Sequence, residues 1–159
     1  MIKQAIIPLA GLGTRILPLS SVMPKELLPI NGKPNLEYIL EECLNAGVKE
    51  FIFIISKNKL SIKKYFFNDS FYKKIIKKKK DKRLLEEYKK IKRYQKMIKF
   101  VYQNKPKGTG DAVLKCQKYI KSKYFLMLLP DDLIIKSNCS KEMIRLHKKT
   151  NGSIIATKR

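Results

Sequence analysis

Tryptophan is absent from this chain of 159 residues, and arginine is scarce. The 36 basic residues are 31 lysines and only five arginines, set against 13 acidic residues. The resulting net charge of +23 points towards a polyanion. The lysine bias, with plentiful Ile and Tyr, reads instead as compositional drift, not as an arginine-rich recognition surface. No RNP-type motif or set of interleaved exposed aromatics stands out, so specific RNA reading has no support. No apolar run reaches the ~18 residues that a membrane span needs. The opening "MIKQAIIPLAG" has one lysine before a short apolar run and no small-x-small cleavage site. It reads as a first core strand, not as a signal peptide. Cysteines number three (Cys43, Cys116 and Cys139) and show no CxxC spacing. An odd, scattered set argues against disulfide or metal frameworks and for reduced thiols in a cytoplasmic protein. The single histidine, His147, lies in a predicted helix beside Lys148 and reads as a helix-surface or partly packed residue, not a catalytic base.

What is present is globular: 44% of residues are hydrophobic, and the length suits one domain spanning 1–159. Residues 2–10 read as a strand buried on both faces. Residues 11–33 form a long loop with Pro18, Pro24, Pro29, Gly11, Gly13 and Gly32. A loop of that length inside a compact domain is usually functional. A helix is predicted from Pro34 to about Gly47, then a second strand over 50–56, completing a βαβ unit. A short helix over 58–67 and one or two exposed helices over the lysine-rich 70–97 follow. A third strand is predicted over 97–103 and a helix over Asp111 to Tyr119. A fourth strand spans 124–132. A helix capped by Ser140 runs to about Lys149, and a fifth strand covers 153–159. The alternation predicts an α/β fold with a mainly parallel sheet.

Ligands of such sheets gather at the carboxyl ends of the strands. The first strand delivers Gly11, Gly13, Thr14 and Arg15 there. The glycines let backbone amides approach an anion, and the guanidinium fork suits phosphate oxygens. Lys25 adds a second cation. The spacing is not a dinucleotide fingerprint, because Ile16 stands where a third glycine is needed, and no P-loop pattern is present. The third strand delivers Gln103, followed by Gly108 and Gly110. The fourth delivers Asp131 and Asp132, carboxylates suited to Mg²⁺ beside substrate phosphates, and adjacent strand residues point opposite ways, so one of the two reaches the metal.

Taken together, "IPLAGLGTRILPLSSVMPKELLPINGKP", "YILEECLNAGVKEFIFIIS", "VYQNKPKGTGDAVL" and "LMLLPDDLI" resemble bacterial UTP–glucose-1-phosphate uridylyltransferases, members of the sugar-nucleotidyltransferase superfamily. The resemblance runs from about residue 2 to the C-terminus and is weakest over 70–97. It implies a Rossmann-like, GT-A-like nucleotidyltransferase fold. It also implies in-line attack of glucose 1-phosphate on the α-phosphorus of UTP, with pyrophosphate leaving and Mg²⁺ as cofactor. By that resemblance Arg15 and Lys25 are catalytic, with Gly13, Thr14 and Arg15 around the triphosphate. Ala10 and Gly11 approach the uracil, Gln103 and Gly108 read the base and hold the nucleoside, and Asp131 binds the metal. Glu26 stands where many thymidylyltransferase relatives carry Gln and joins the nucleotide contacts. Asp111, where some relatives carry His, has no assigned role.

Family members are nearly twice as long, and their sugar-binding Glu-Lys pair, glycine-bearing strand and second metal-binding Asp have no counterpart before Arg159. The expectation is a nucleotide half without most of its sugar half, binding UTP–Mg²⁺ weakly with little or no turnover. A fragment of a longer protein, a broken gene and a short natural protein are the three explanations. Two other functions compete: a non-catalytic nucleotide-binding paralogue, and a polyanion- or RNA-binding module using the 70–97 lysines. A homo-oligomer is left open.

Overall fold

The computed structural model describes residues 2–105 and 107–157. The elements run in chain order as β1 (Gln4–Pro8), β2 (Pro29–Ile30), β3 (Lys33–Pro34), α1 (Asn35–Asn45), β4 (Glu50–Ile55), α2 (Leu60–Phe67), α3 (Asp69–Lys79), α4 (Lys82–Gln95), β5 (Ile98–Tyr102), α5 (Thr109–Lys115), β6 (Leu126–Met127) and α6 (Cys139–Thr150). The main sheet has the order β5-β4-β1-β6, and each of its three ladders is parallel. β2 and β3 pair as a small antiparallel hairpin inside the long loop.

Period-two alternation sends neighbouring residues to opposite faces of the sheet. On β1, Ala5 and Ile7 join one apolar cluster while Ile6 joins the other. On β4, Phe51, Phe53 and Ile55 share the first cluster, and Ile52 and Ile54 the second. Strands buried on both faces account for the nearly unbroken apolar runs in the sequence. The larger cluster receives Leu36, Ile39, Leu40 and Cys43 from α1, Ile62 and Phe66 from α2, Ile91 and Tyr94 from α4, and Ile144 from α6. The smaller cluster receives Ala112 and Cys116, at and just beyond α5. Phe53 centres the thick side, meeting Phe51, Phe66 and Phe100 edge-on. Gly47, with φ 91, supplies the left-handed residue that ends the first helical segment.

Three expectations are corrected. The fourth strand is two residues long, not nine, so Asp131 and Asp132 lie in the turn after it. Pro130 has no N–H to give a ladder, and the chain turns there, with Asp132 N–H donating to Leu129 O at 3.2 Å. Residues 153–157 form no strand and pair with nothing in the sheet, and Ile155 is 84% exposed. The rest of that expected strand, Lys158 and Arg159, lies outside the described residues. The cap of α6 is Asn138, whose side chain accepts from Lys141 N–H at 2.7 Å. Ser140 is buried instead and gives its backbone N–H and hydroxyl to Glu42.

Candidate nucleotide site

All four strands of the main sheet run the same way, so the chain leaves β1, β5 and β6 at one common edge. That edge collects the loops at 9–28 and 128–132 and, among the described residues, 103–105 and 107–108.

The first loop starts tightly. Leu9 N–H donates to Ile54 O at 2.7 Å, extending the ladder one residue past β1. Leu9 and Ala10 are buried, and then Gly11 emerges with open space where a side chain would stand. Gly13 has φ 69, the left-handed region where a side chain is strained. A Cβ there would also stand 3.2 Å from Ser20 Cβ. Ser20 Oγ donates to Gly13 O at 2.8 Å and fixes the bend. Thr14–Ile16 and Leu19–Ser21 are single 3₁₀ turns, separated by a cis Leu17–Pro18 bond. Arg15 projects from the first turn almost wholly into solvent.

Lys25 opens a third 3₁₀ turn, Lys25–Leu27. Its Nζ donates to Asp131 Oδ2 at 3.0 Å, and Arg15 Nη2 stands 3.7 Å from the same oxygen. Residues 106 and 116 positions apart in the chain therefore meet on one carboxylate. Partial burial would raise the Asp131 carboxyl, but the hydrogen bond from Lys25 and the two nearby cations outweigh it and hold it below the usual carboxylate range. Asn35 Nδ2 donates to Pro130 O at 2.5 Å and steadies the turn that carries Asp131.

Glu26 follows a different course from the one its place in the motif implied. Its carboxylate is 1% exposed, and both oxygens accept from Lys59 Nζ, at 2.7 and 2.8 Å. It faces protein, and its contact is the start of α2. Lys59 was not singled out from the sequence, where it is one lysine among many. Burial lowers the Lys59 ammonium more than the two contacts with Glu26 raise it. The pair ties the Lys25–Leu27 turn to the segment after β4.

Gln103 follows directly on β5. Its N–H donates to Ile55 O at 2.9 Å, and its side chain is buried against Gly108 and Asp111. Gly108, with φ 91, turns the chain into α5. The structure thus brings Arg15, Lys25 and Asp131 into contact, sets Gln103 and Gly108 against each other, and directs Glu26 away to Lys59.

The family model described as nucleotidyl transferase matches residues 4–158. The chain belongs to the nucleotidyl transferase family. Among its relatives, UTP–glucose-1-phosphate uridylyltransferase 2 of Staphylococcus saprophyticus is 38% identical over 155 residues, covering 97% of this chain and 53% of its own length. The Bacillus subtilis UTP–glucose-1-phosphate uridylyltransferase is 37% identical over 155 residues, with shares of 97% and 53%. A UTP-bound UGPase from Acinetobacter baumannii superposes with a TM-score of 0.86 at 33% identity, over 95% of this chain and 54% of that one. The chain spans about half the length of the curated relatives it matches. The expected α/β nucleotidyltransferase fold with a parallel sheet is borne out. No helix among the described residues is long and apolar enough to cross a membrane.

Proposed function

We propose that this nucleotidyl transferase binds UTP at the common strand edge, as the nucleotide half of a uridylyltransferase that makes UDP-glucose from UTP and glucose 1-phosphate. The observation that carries this reading is the meeting of Arg15 and Lys25 at Asp131. A triphosphate needs cations and backbone amides, and a divalent ion beside it needs a carboxylate; here all three leave adjacent parallel strands. The name of the UTP-bound neighbour supports the choice of nucleotide.

In this reading the loop amides around Gly13 and Thr14 receive phosphate oxygens, and Arg15 adds its fork. Lys25 lies at the phosphates that are cleaved and neutralises charge as pyrophosphate departs. Asp131 is the residue that would hold Mg²⁺. No group of three His, Cys, Asp or Glu gathers among the described residues. One carboxylate completed by substrate oxygens and water fits Mg²⁺ chemistry, which keeps several waters and few protein ligands. When bound, the ion supplies Lewis-acid polarisation of the phosphoryl oxygens. Ala10, buried at the strand exit, with Gly11 beside it, and Gln103 and Gly108 on the loop after β5 form the side assigned to the base. Glu26 acts indirectly, by fixing the turn from which Lys25 projects. The cytoplasm is the compartment proposed.

The test is isothermal titration of the chain with UTP and Mg²⁺, beside the Arg15→Ala variant. Saturable binding that the substitution weakens by tenfold or more is expected. Equal binding by both folded proteins would remove the site assignment. Transfer of label from UTP to glucose 1-phosphate then separates an enzyme from a binding half.

A further inference from the structure

Gln103 Nε2 stands 2.6 Å from Asp111 Oδ2 and 3.2 Å from Gly108 O. Both neighbours are acceptors: a backbone carbonyl cannot donate, and an ionised carboxylate cannot either. The two Nε2 protons are therefore both committed. Turning the amide over would set Oε1 against the carboxylate at the same short distance, where two lone-pair-bearing oxygens repel. The chemistry of the neighbours settles which end of the amide is which, an assignment that geometry alone leaves open. The end left for a ligand is Oε1. Asp111 is set by the first turn of α5 and has Lys115 Nζ one helical turn on, at 3.9 Å. Gln103 is 3% exposed, so few other orientations are open to it.

We propose that Asp111 is a positioning residue that locks the Gln103 amide, so that the site offers a hydrogen-bond acceptor to the base. An acceptor there selects a pyrimidine that carries an N–H on its ring edge. Uracil has one at N3, whereas neutral cytosine has a lone pair at the same position. A bare glutamine would be ambidextrous, able to turn its NH₂ to cytosine or its oxygen to uracil. The carboxylate eight residues later removes that freedom. A site that leaves a polar group unpaired or opposed by a lone pair rejects the wrong ligand far more strongly than a site that merely loses contact area. This inference rests on the proposed UTP site, in which Gln103 faces the base.

The experiment compares UTP and CTP binding, each with Mg²⁺, to the wild-type chain, Asp111→Asn and Asp111→Leu. Asparagine keeps the shape but can donate as well as accept, so the amide is freed to turn. Leucine removes the polar partner altogether. Wild type is expected to prefer UTP by at least about tenfold. Both variants are expected to shrink that ratio to within about threefold, through a gain in CTP binding as well as a loss in UTP binding. A purely structural role would weaken both nucleotides together and leave the ratio in place, and that result would overturn the proposal. Binding of neither nucleotide by folded wild type would instead defeat the UTP reading, and this inference with it. Side-chain amide spectra of wild type give a check that needs no variant to fold. The Gln103 NH₂ protons should exchange slowly with solvent before nucleotide is added, and exchange as fast as that of a fully exposed amide would also overturn the lock.

Discussion

Lys25 and Lys59 meet carboxylates 106 and 33 residues distant in the chain. Lys77, Lys78, Lys79 and Lys80, which close α3, meet no carboxylate among the described residues. The segment 69–96 holds 13 of the 36 basic residues and four acidic ones, so the chain's charge is densest there. Within it, Lys89–Glu86 is a one-turn pair of exposed groups, the kind worth about 0.3–0.5 kcal/mol, while the half-buried Lys90 pairs with Glu87. Lys90 also reaches the buried Glu37 of α1, which anchors α4 to the body. No residue of α3 is buried. The same residue type therefore does two jobs. At the strand edge a lysine joins distant segments and fixes where charge stands. At the end of α3 it is solvated and replaceable. Abundance of positive charge says little about the site; distance in sequence between the partners says much more.

The sharpest way to break this contrast is to remove one member of the buried pair. Lys59→Met strands the Glu26 carboxylate, and a loss of about 3–5 kcal/mol of unfolding free energy in denaturant titration is expected. The double variant Lys59→Met/Glu26→Leu should recover most of that loss. Lys78→Met should cost less than about 0.5 kcal/mol, and an equal loss at both sites would abolish the distinction.

The next effect is on affinity. Lys25→Ala and Arg15→Ala should each raise the Kd for UTP about 10- to 100-fold, the scale of a lost charge-assisted hydrogen bond of about 1.5–3 kcal/mol. Lys77→Ala should change it less than twofold at physiological salt, where the Debye length is about 8 Å.

A smaller effect depends on pH. The Asp131 carboxyl is depressed in the fold, so its contribution to stability is complete above the unfolded-state pKa of about 3.9 and is lost as pH falls through the lower folded value. The gap between wild type and Asp131→Asn should be flat from pH 8 to 5 and close on the acid side of pH 4, as followed by thermal unfolding. A gap that closed near neutrality would contradict the Lys25–Asp131 contact.

Smallest of all, replacing Lys77–Lys80 with glutamine should leave stability within about 0.5 kcal/mol. UTP binding should be unchanged, while salt-sensitive retention on RNA should fall. A large change in UTP binding would make the hairpin part of the site.

The readable parts of this fold were those with a local cause. β1 and β4 announce themselves because a strand buried on both faces is apolar at nearly every position, as in "FIFIIS". Gly13 and Gly108 were legible because the backbone conformations they adopt favour glycine. The stretch at 153–157 carries the same apolar signal, but a strand needs a partner, and periodicity records only the capacity to be buried. Ser140 and Asn138 are equally good caps on paper, and the choice fell to Glu42, almost 100 residues earlier. Lys59 left no trace in the sequence, because nothing local distinguishes a lysine that will find Glu26 from its neighbours. Asp111 did leave a trace: it is a carboxylate in the first turn of a helix that follows a glycine loop, eight residues after the glutamine it holds.

The place of β1 in the sheet order also sets a schedule. The first strand to be synthesised is an interior one, and its second neighbour, β6, follows about 120 residues later, an interval of roughly 6–24 s at ribosomal speeds of ~5–20 residues per second. β4 follows β1 closely in the chain and can pair with it early. Asp131 follows Lys25 only after 106 residues. A nascent chain therefore presents Arg15 and Lys25 without this carboxylate until Asp131 is made, and arrest-peptide force profiles should show β1–β4 docking well before the step that brings in Asp131.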